Sequence, residues 1–537
     1  MPGDRVRVRA NLAVGPVVAG GVSPGPDPLV YSSAPCVRTA HRRLHPRAHA
    51  LAHPVCARAQ ARQVNIVILG AGRVGESVAE SLESEKNDIT IIDTDPARLR
   101  VLQDRLDLRG VVGNGIQPSV LQDAGIEDAD LFIACAPMDE TNLVACKVAH
   151  DRFKVPTRIA RIRSPEFQDG ERILGKDGFA VDQVICPEES VTSYIRKLIE
   201  YPEALQVLEF AHGLLSLIAV RAVAGGPLVQ HSLAEIPALV PGAQMRIVAI
   251  YRHDKVLLEL DGKTRIEPHD EVFVLAATAD IRPVLGALRK MDRPVLRIML
   301  AGGGKVGLRL AREIHDTYQI KLIEASLARC DYLATQLPSS VLVLQGDATD
   351  EDLIGDENVA EMDLFAALTS DDEDNIMACL LAKRMGAKRV LALINRKAYA
   401  DLVQGTQIDI AISPAHAVIG ELLAYVRRGD VEAVHSLRRG AAEALEAVVR
   451  GDRKTSRMAG RRVEEIGLPT GAQVGAIVRG LHRSDGSEAD GDAVPRVIIA
   501  HHDTVVETGD HVIVFVHGKR MVRQVEKLFQ VSATFMF

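Results

Sequence analysis

IVILGAGRVG, residues 66–75, decides the fold. Four apolar residues run straight into Gly70-Ala71-Gly72-Arg73-Val74-Gly75, and a helical pattern follows over 73–84. A continuous apolar run is what a strand buried on both faces of a parallel sheet requires. Gly70 permits the tight turn, Gly72 lets backbone N–H groups approach a pyrophosphate, and Gly75 lets helix and strand pack closely. The helix N-terminus supplies partial positive charge. Asp93 ends the next strand, 23 residues beyond Gly70, where a carboxylate can accept from adenosine ribose hydroxyls.

The stretch occurs twice. IMLAGGGKVG (298–307) matches it at a shift of 232, and LQGDA (344–348) matches VVGNG (111–115) at 233. MDLFAALTSDDEDNIMAC (362–379) matches ADLFIACAPMDETNLVAC (129–146), again at 233. Three separate anchors at shifts of 232–233 mark a tandem duplication. The second loop is Gly302-Gly303-Gly304-Lys305-Val306-Gly307, with Glu324 as its distal acid 22 residues on. Strand, loop, helix and acid agree in both copies, which a lone glycine motif does not achieve. The bland alternative is glycine kept only for packing.

Each copy alternates short β-rich runs with helical patterns, which implies parallel βαβ units in a doubly wound α/β sheet. In copy one the expected strands are 64–69, 89–93, 110–113, 131–136 and 158–163. A smaller α+β module follows in each copy. Its strands include LLSLIAVRA (214–222), MRIVAIYR (245–252), KVLLEL (255–260) and DEVFVLAA (270–277), and GDHVIVF (509–515) matches HDEVFVL (269–275). The expected organisation is an extension over 1–63, dinucleotide-binding folds over 64–186 and 296–414, and small modules over 204–288 and 434–528.

Other polar groups fall at strand ends, where such sheets bind ligands. They are Asn114 and Asp347 after strand three, and Ala136-Pro137 and Thr369-Ser370 after strand four. Arg161 in strand five either reaches phosphate or pairs with a carboxylate. Arg73 and Lys305 either face phosphate or are solvated helix starts. Acids at Asp93 and Glu324, with no arginine replacing them, favour NAD(H) over NADP(H). The acidic stretches 138–141 and 370–374 read as helix N-terminal charge rather than as metal ligands.

Composition bounds the function. The chain has 537 residues, a mean hydropathy of +0.06 and no apolar run long enough to span a membrane. Its seven cysteines form no CxxC pair, which argues against a disulfide framework or zinc site and for reduced, buried thiols. The net charge of −7 hides a split. Residues 1–62 hold nine Arg, no Lys and two Asp, so the remainder carries −14, which excludes nucleic acid as a natural partner. The first 62 residues, with eight Pro, read as disordered. They are an over-extended gene start before Val64, a genuine tail or a targeting segment. No acid–base constellation is shared by the two small modules, and no hydrolase, metalloprotease or P-loop motif occurs. Two nucleotide pockets without such machinery point to sensing rather than catalysis. The rivals are an NAD-dependent oxidoreductase and a nucleotide-regulated subunit of another transporter.

These residues resemble a known family. IVILGAGRVG…ITIIDTD, DETNLVAC (139–146), RIARIRSPEF (158–167) and QGDATDEDL (345–353) are similar to regulators of potassium conductance. So are DDEDNIMACLLAKRMGAKRV (371–390) and DLVQGTQIDIAISP (401–414). The tandem arrangement, with LIEYPEALQVLEFA (198–211) and VHSLRRGAAEALEAV (434–448), resembles the regulatory subunits of bacterial Trk-type potassium uptake, over about 64–537. The resemblance implies NAD(H) binding, with ATP and ADP as effectors at the same kind of site. It also implies a homo-oligomeric ring, a tetramer, on the cytoplasmic face of the membrane beneath a channel subunit of the TrkH or TrkG type. By position, the implied ligand residues are Gly70 to Val74, Asp93, Ala136-Pro137 and Arg161, then Gly302 to Val306, Glu324 and Thr369-Ser370. Two departures stand out: Ala136-Pro137 occupies a place where the family has a polar pair, and Leu393 stands in the register of Arg161. The polar insertion SDGSEADGDAVP (484–495) lies outside the pattern.

Overall fold

A computed structural model describes residues 64–531 except 84–86, 169–170, 254, 258–259, 291–293, 404–406, 427–430, 438–441 and 482–493. The readings of 1–63, and of the insertion up to residue 493, lie outside the described residues.

Copy one opens with β1 (Asn65–Leu69), β2 (Asp88–Asp93), β3 (Arg109–Val112), β4 (Leu131–Ala134), β5 (Thr157–Arg161) and β6 (Gln183–Ile185). All pairs are parallel, in the order β3-β2-β1-β4-β5-β6. That is the doubly wound order, and the strand order reverses between β1 and β4, so the glycine loop after β1 sits at the switch point. The expected strands agree with these within a residue or two, and β6 is an addition. The Arg73–Glu83 helix buries Gly75, Val78, Ala79 and Leu82, one stripe of a 3.6-residue period, against the sheet.

The first small module contains β7 (Ala204–Phe210), β8 (Leu215–Arg221), β9 (Met245–Arg252), β10 (Lys255–Leu257) and β11 (Glu271–Ala277), in the antiparallel order β10-β9-β11-β8-β7. Copy two repeats both parts. Its parallel sheet has β12 (Arg297–Ala301), β13 (Gln319–Glu324), β14 (Val341–Gln345), β15 (Leu364–Ala367), β16 (Arg389–Leu393) and β17 (Ile410–Ile412), ordered β14-β13-β12-β15-β16-β17. Its module has β18 (Val431–Leu437), β19 (Ala442–Val448), a ribbon of β20 (Arg461–Arg462) with β23 (Val505–Val506), β21 (Ala472–Arg479), β22 (Arg496–Ile499) and β24 (His511–Val516). The five-stranded order is β18-β19-β24-β21-β22.

The copies are joined by exchange. The Pro187–Glu200 helix leaves copy one and buries Val191, Ile195, Leu198 and Ile199 in the core of the second parallel sheet. The Pro414–Val426 helix leaves copy two and packs Val418, Leu422, Leu423 and Val426 with Ile66, Val78 and Leu82 of the first. Arg309 of copy two pairs with Glu189 at 3.0 Å, and Ser190 donates to Glu421 at 2.7 Å where the exchanged helices cross.

The modules also stack sheet on sheet. Leu215, Leu217 and Ala219 of β8 join Ala442, Ala444, Ile513 and Phe515 of copy two in one core. Ile218 and Val220 of the same strand face the module's own core. LLSLIAVRA is therefore apolar on both faces, Ser216 and Arg221 apart, although its sheet is antiparallel: both faces are buried. Among the described residues, no helix is long and apolar enough to cross a membrane. The five described cysteines are free and buried, and burial pushes the Cys135 and Cys379 thiols up to about 12.

Candidate functional site

The glycine loops are built from backbone. Gly70 has φ +103°, and its N–H donates to Ile92 O at 2.7 Å. A Cβ at Gly75 would lie 1.8 Å from Gly70 O, so only glycine lets the helix start there. A Cβ at Gly72 would meet nothing within 4 Å. This glycine is not needed for packing; it borders open space. Asp93 accepts from Ala71 N at 2.6 Å and Asp95 N at 2.9 Å, tying the loop to the end of β2. Each carboxylate oxygen keeps a second lone pair for a ligand hydroxyl. Arg73 is exposed at the helix start and Val74 is half-buried. Ala71, Gly72, Arg73, Glu76, Ala97, Arg98, Val101 and Leu102 line a cleft of about 440 Å³, a normal size for a small-molecule site.

Copy two repeats the scaffold. Gly302 has φ +103° and donates to Ile323 O at 2.8 Å. A Cβ at Gly307 would lie 2.0 Å from Gly302 O, and one at Gly304 would meet nothing within 4 Å. Glu324 accepts from Gly303 N and Ser326 N, each at 2.9 Å. Lys305 is exposed and Val306 half-buried, as in copy one.

The far side of each site hangs on an asparagine that sequence reasoning missed. Asn142 is fully buried; it accepts from Ala136 N at 2.8 Å and donates to Ala136 O at 3.0 Å and Arg161 O at 2.8 Å. Asn375, its counterpart at a shift of 233, accepts from Thr369 N and Oγ1 and donates to Thr369 O and Leu393 O. These bonds bring the ends of strands four and five together and align Leu393 with Arg161. An identical Asn at one shift, between an acidic helix start and an apolar run, was the available signal. Asp139 accepts from Arg163 N and Ser164 N, and Asp372 from Asn395 N and Arg396 N. Asp371 caps its helix by accepting from Asp374 N. The acidic stretches thus serve helix starts and the loop after strand five. Among the described residues, no group of three His, Cys, Asp or Glu could hold a metal.

Arg161 lies mostly buried and donates to Glu188 at 3.3 Å, while its Nε has no partner. Burial, the largest influence, lowers its pKa against the pull of Glu188. An orphaned buried donor at a strand end can take an anionic group. Asn114 and Asp347 are exposed and stabilise local turns, accepting from Ile116 N at 3.2 Å and Thr349 N at 2.8 Å. Pro137 and Ser370 are exposed on the rim.

Neither acid is replaced by arginine, and each copy carries one arginine five residues beyond its acid. Arg98 lines the first cleft, and Arg329 donates from Nε to Gly303 O at 2.8 Å. Each sits in the first turn of the helix that follows the acid, a place that strand-end reasoning did not scan.

With this geometry in hand, comparisons are informative. The TrkA-N domain family matches residues 66–187 and 298–414, and the TrkA-C domain family matches 217–286. The chain is 50% identical over 472 residues to the Trk system potassium uptake protein TrkA of Halomonas elongata, covering 88% of this chain and all of that one. It is 48% identical over 474 residues to the protein of the same name from Vibrio alginolyticus, with the same coverage. Among solved structures, the GsuK RCK domain superposes with a TM-score of 0.54 at 16% identity, over 87% of this chain and 95% of that one. A GsuK channel described as bound to NAD gives 0.54 at 15% identity, over 87% and 79%. At such identities the likeness is one of fold.

Proposed function

Because the chain belongs to the TrkA family of Trk potassium uptake proteins, we propose that it is the nucleotide-binding regulatory subunit of a Trk-type uptake system. In this reading it binds NAD(H) and gates a membrane potassium channel subunit of the TrkH or TrkG type. The observation that carries the reading is the doubled cradle: two glycine loops, each open where a Cβ at Gly72 or Gly304 would project.

With the N–H groups of Gly70, Ala71, Gly302 and Gly303 tied to the neighbouring strand end, Gly72 to Val74 and Gly304 to Val306 offer theirs to a pyrophosphate, and Asp93 and Glu324 accept from ribose hydroxyls. Ala136-Pro137, Thr369-Ser370 and Arg161 border the distal part, with Arg161 supplying charge to phosphate in copy one only. ATP and ADP are the further ligands. The role is regulatory rather than catalytic, performed as a homo-oligomeric ring, a tetramer, on the cytoplasmic face of the membrane. A solved channel of the same fold is described as NAD-bound, which supports the choice of ligand.

The exchanged helices supply a route for gating. The Arg73–Glu83 helix, which begins at the first glycine loop, packs on the Pro414–Val426 helix that leads into the second small module. A ligand that favours one arrangement of this contact changes the angle between halves. Moving a two-state gate from closed to open takes about 5.5 kcal/mol of differential affinity. Several sites in a ring can supply it at roughly 1 kcal/mol each.

The test is a chain carrying Gly72→Leu and Gly304→Leu, reconstituted with the channel subunit. Potassium flux should lose its response to NADH while the chain's thermal melting is unchanged. Flux that still responds would refute the reading. Capture of the channel subunit from native membranes by the tagged chain, with and without NADH, checks the partner.

A further inference from the structure

The two clefts differ at one arginine. Arg98 of copy one borders its cleft and pairs with Asp95, with Nε 3.4 Å from Oδ2, and both side chains are substantially exposed. Its counterpart Arg329 turns inward. Its Nε donates to Gly303 O, and its guanidinium lies over the Tyr332 ring, 4.6 Å from the centroid. Three sequence differences account for the change. Ser326 replaces Asp95, removing the carboxylate that pairs with the arginine. Tyr332 replaces Val101, offering an aromatic face that attracts a cation. Gly303 replaces Ala71, and a Cβ there would lie 2.3 Å from Leu333 Cδ1, so the second loop rests closer on its neighbouring helix.

Val101 lines the open cleft of copy one, and Tyr332 holds the same place in copy two. We infer that Arg329 is a latch over the adenosine half of the second site, a specificity-determining residue that makes the two sites fill at different nucleotide concentrations. This inference rests on the nucleotide reading above. A ligand entering site two must displace the guanidinium from both the loop carbonyl and the ring, whereas site one stands open. A charge-assisted hydrogen bond and a cation–π contact together correspond to roughly tenfold or more in affinity. The latch therefore gives the chain a graded response: site one saturates first, and site two responds only at higher concentration.

The experiment is NADH titration of the full chain followed by nucleotide fluorescence. Wild type should show two affinities at least about tenfold apart. In a Gly72→Leu chain, which closes site one where the fold has room, only the weaker site should remain. Adding Arg329→Ala should tighten that site about tenfold. Ser326→Asp, which keeps the arginine but gives it the partner found in copy one, should tighten it in the same direction. Two equal affinities in wild type, or unchanged or weaker binding on adding Arg329→Ala, would overturn the latch. No binding of NADH by the wild-type chain would instead overturn the nucleotide reading, and the latch with it.

Discussion

In both copies the first loop glycine lies at φ +103°, and the last would drive a Cβ to 1.8 or 2.0 Å from a carbonyl oxygen. A carboxylate at the end of the second strand accepts the same pair of backbone N–H groups in each. The residues facing the clefts diverge instead: Arg161 against Leu393, Ala136 against Thr369, Val101 against Tyr332. Duplication has held constant the backbone of the loop, Gly72 and Gly304 included, and let drift the side chains around it. The comparison also separates two kinds of glycine within one loop, those the fold requires and those only a ligand requires.

Breaking the first kind has the largest expected effect. Gly75→Val or Gly307→Val should cost at least about 3 kcal/mol by overpacking against the preceding turn, read by urea unfolding followed with circular dichroism. Gly72→Ala and Gly304→Ala should be close to neutral in the same assay. A comparable loss at Gly72 would erase the distinction. Next come the buried amides. Asn142→Ala and Asn375→Ala each leave buried backbone groups unpaired, at about 2–3 kcal/mol. Asn375 should be the costlier because it also holds the Thr369 hydroxyl, and a reversed order would break that assignment. Thr369→Val sharpens the point on a smaller scale, at about 1 kcal/mol.

A pH effect is the finest probe and tests the stacked modules rather than the loops. His435 of copy two lies edge-on to Phe210, its ring centroid 4.8 Å away, with Nε2 2.9 Å from Glu209 O of copy one. Burial lowers its pKa, so the neutral ring is the form the interface holds. A lowered value in the folded state means its stabilisation is present above the unfolded value of about 6.5 and is lost as pH falls through the folded value. Melting temperature should therefore fall as pH drops below about 6.5, and His435→Gln should flatten that slope. An unchanged slope in the variant would remove His435 from the interface's acid response.

The sequence made most of this legible where periodicity or spacing carries the signal. The central strands of both parallel sheets, the Arg73–Glu83 helix and the glycine–acid geometry followed from apolar runs and fixed offsets. The three-residue strands β6 and β17 did not, because so short an element has no period to detect. Asn142 and Asn375 were passed over as ordinary helix polars, since their role depends on a strand that arrives 19 and 18 residues later. Arg98 and Arg329 were missed because only strand ends were read as ligand-facing, and both lie in the helix that follows. Helix exchange leaves no trace in any single segment: an amphipathic helix has the same stripe whichever half it covers.

That exchange sets a timetable for synthesis. The Arg73–Glu83 helix leaves the ribosome early, while the helix that covers it, Pro414–Val426, starts 331 residues after Glu83. At roughly 5–20 residues per second, the part of this helix and sheet that Pro414–Val426 covers waits on the order of 15–65 s for its cover. The nascent first half must remain soluble with that surface bare, so chaperone demand during translation should fall on copy one rather than copy two.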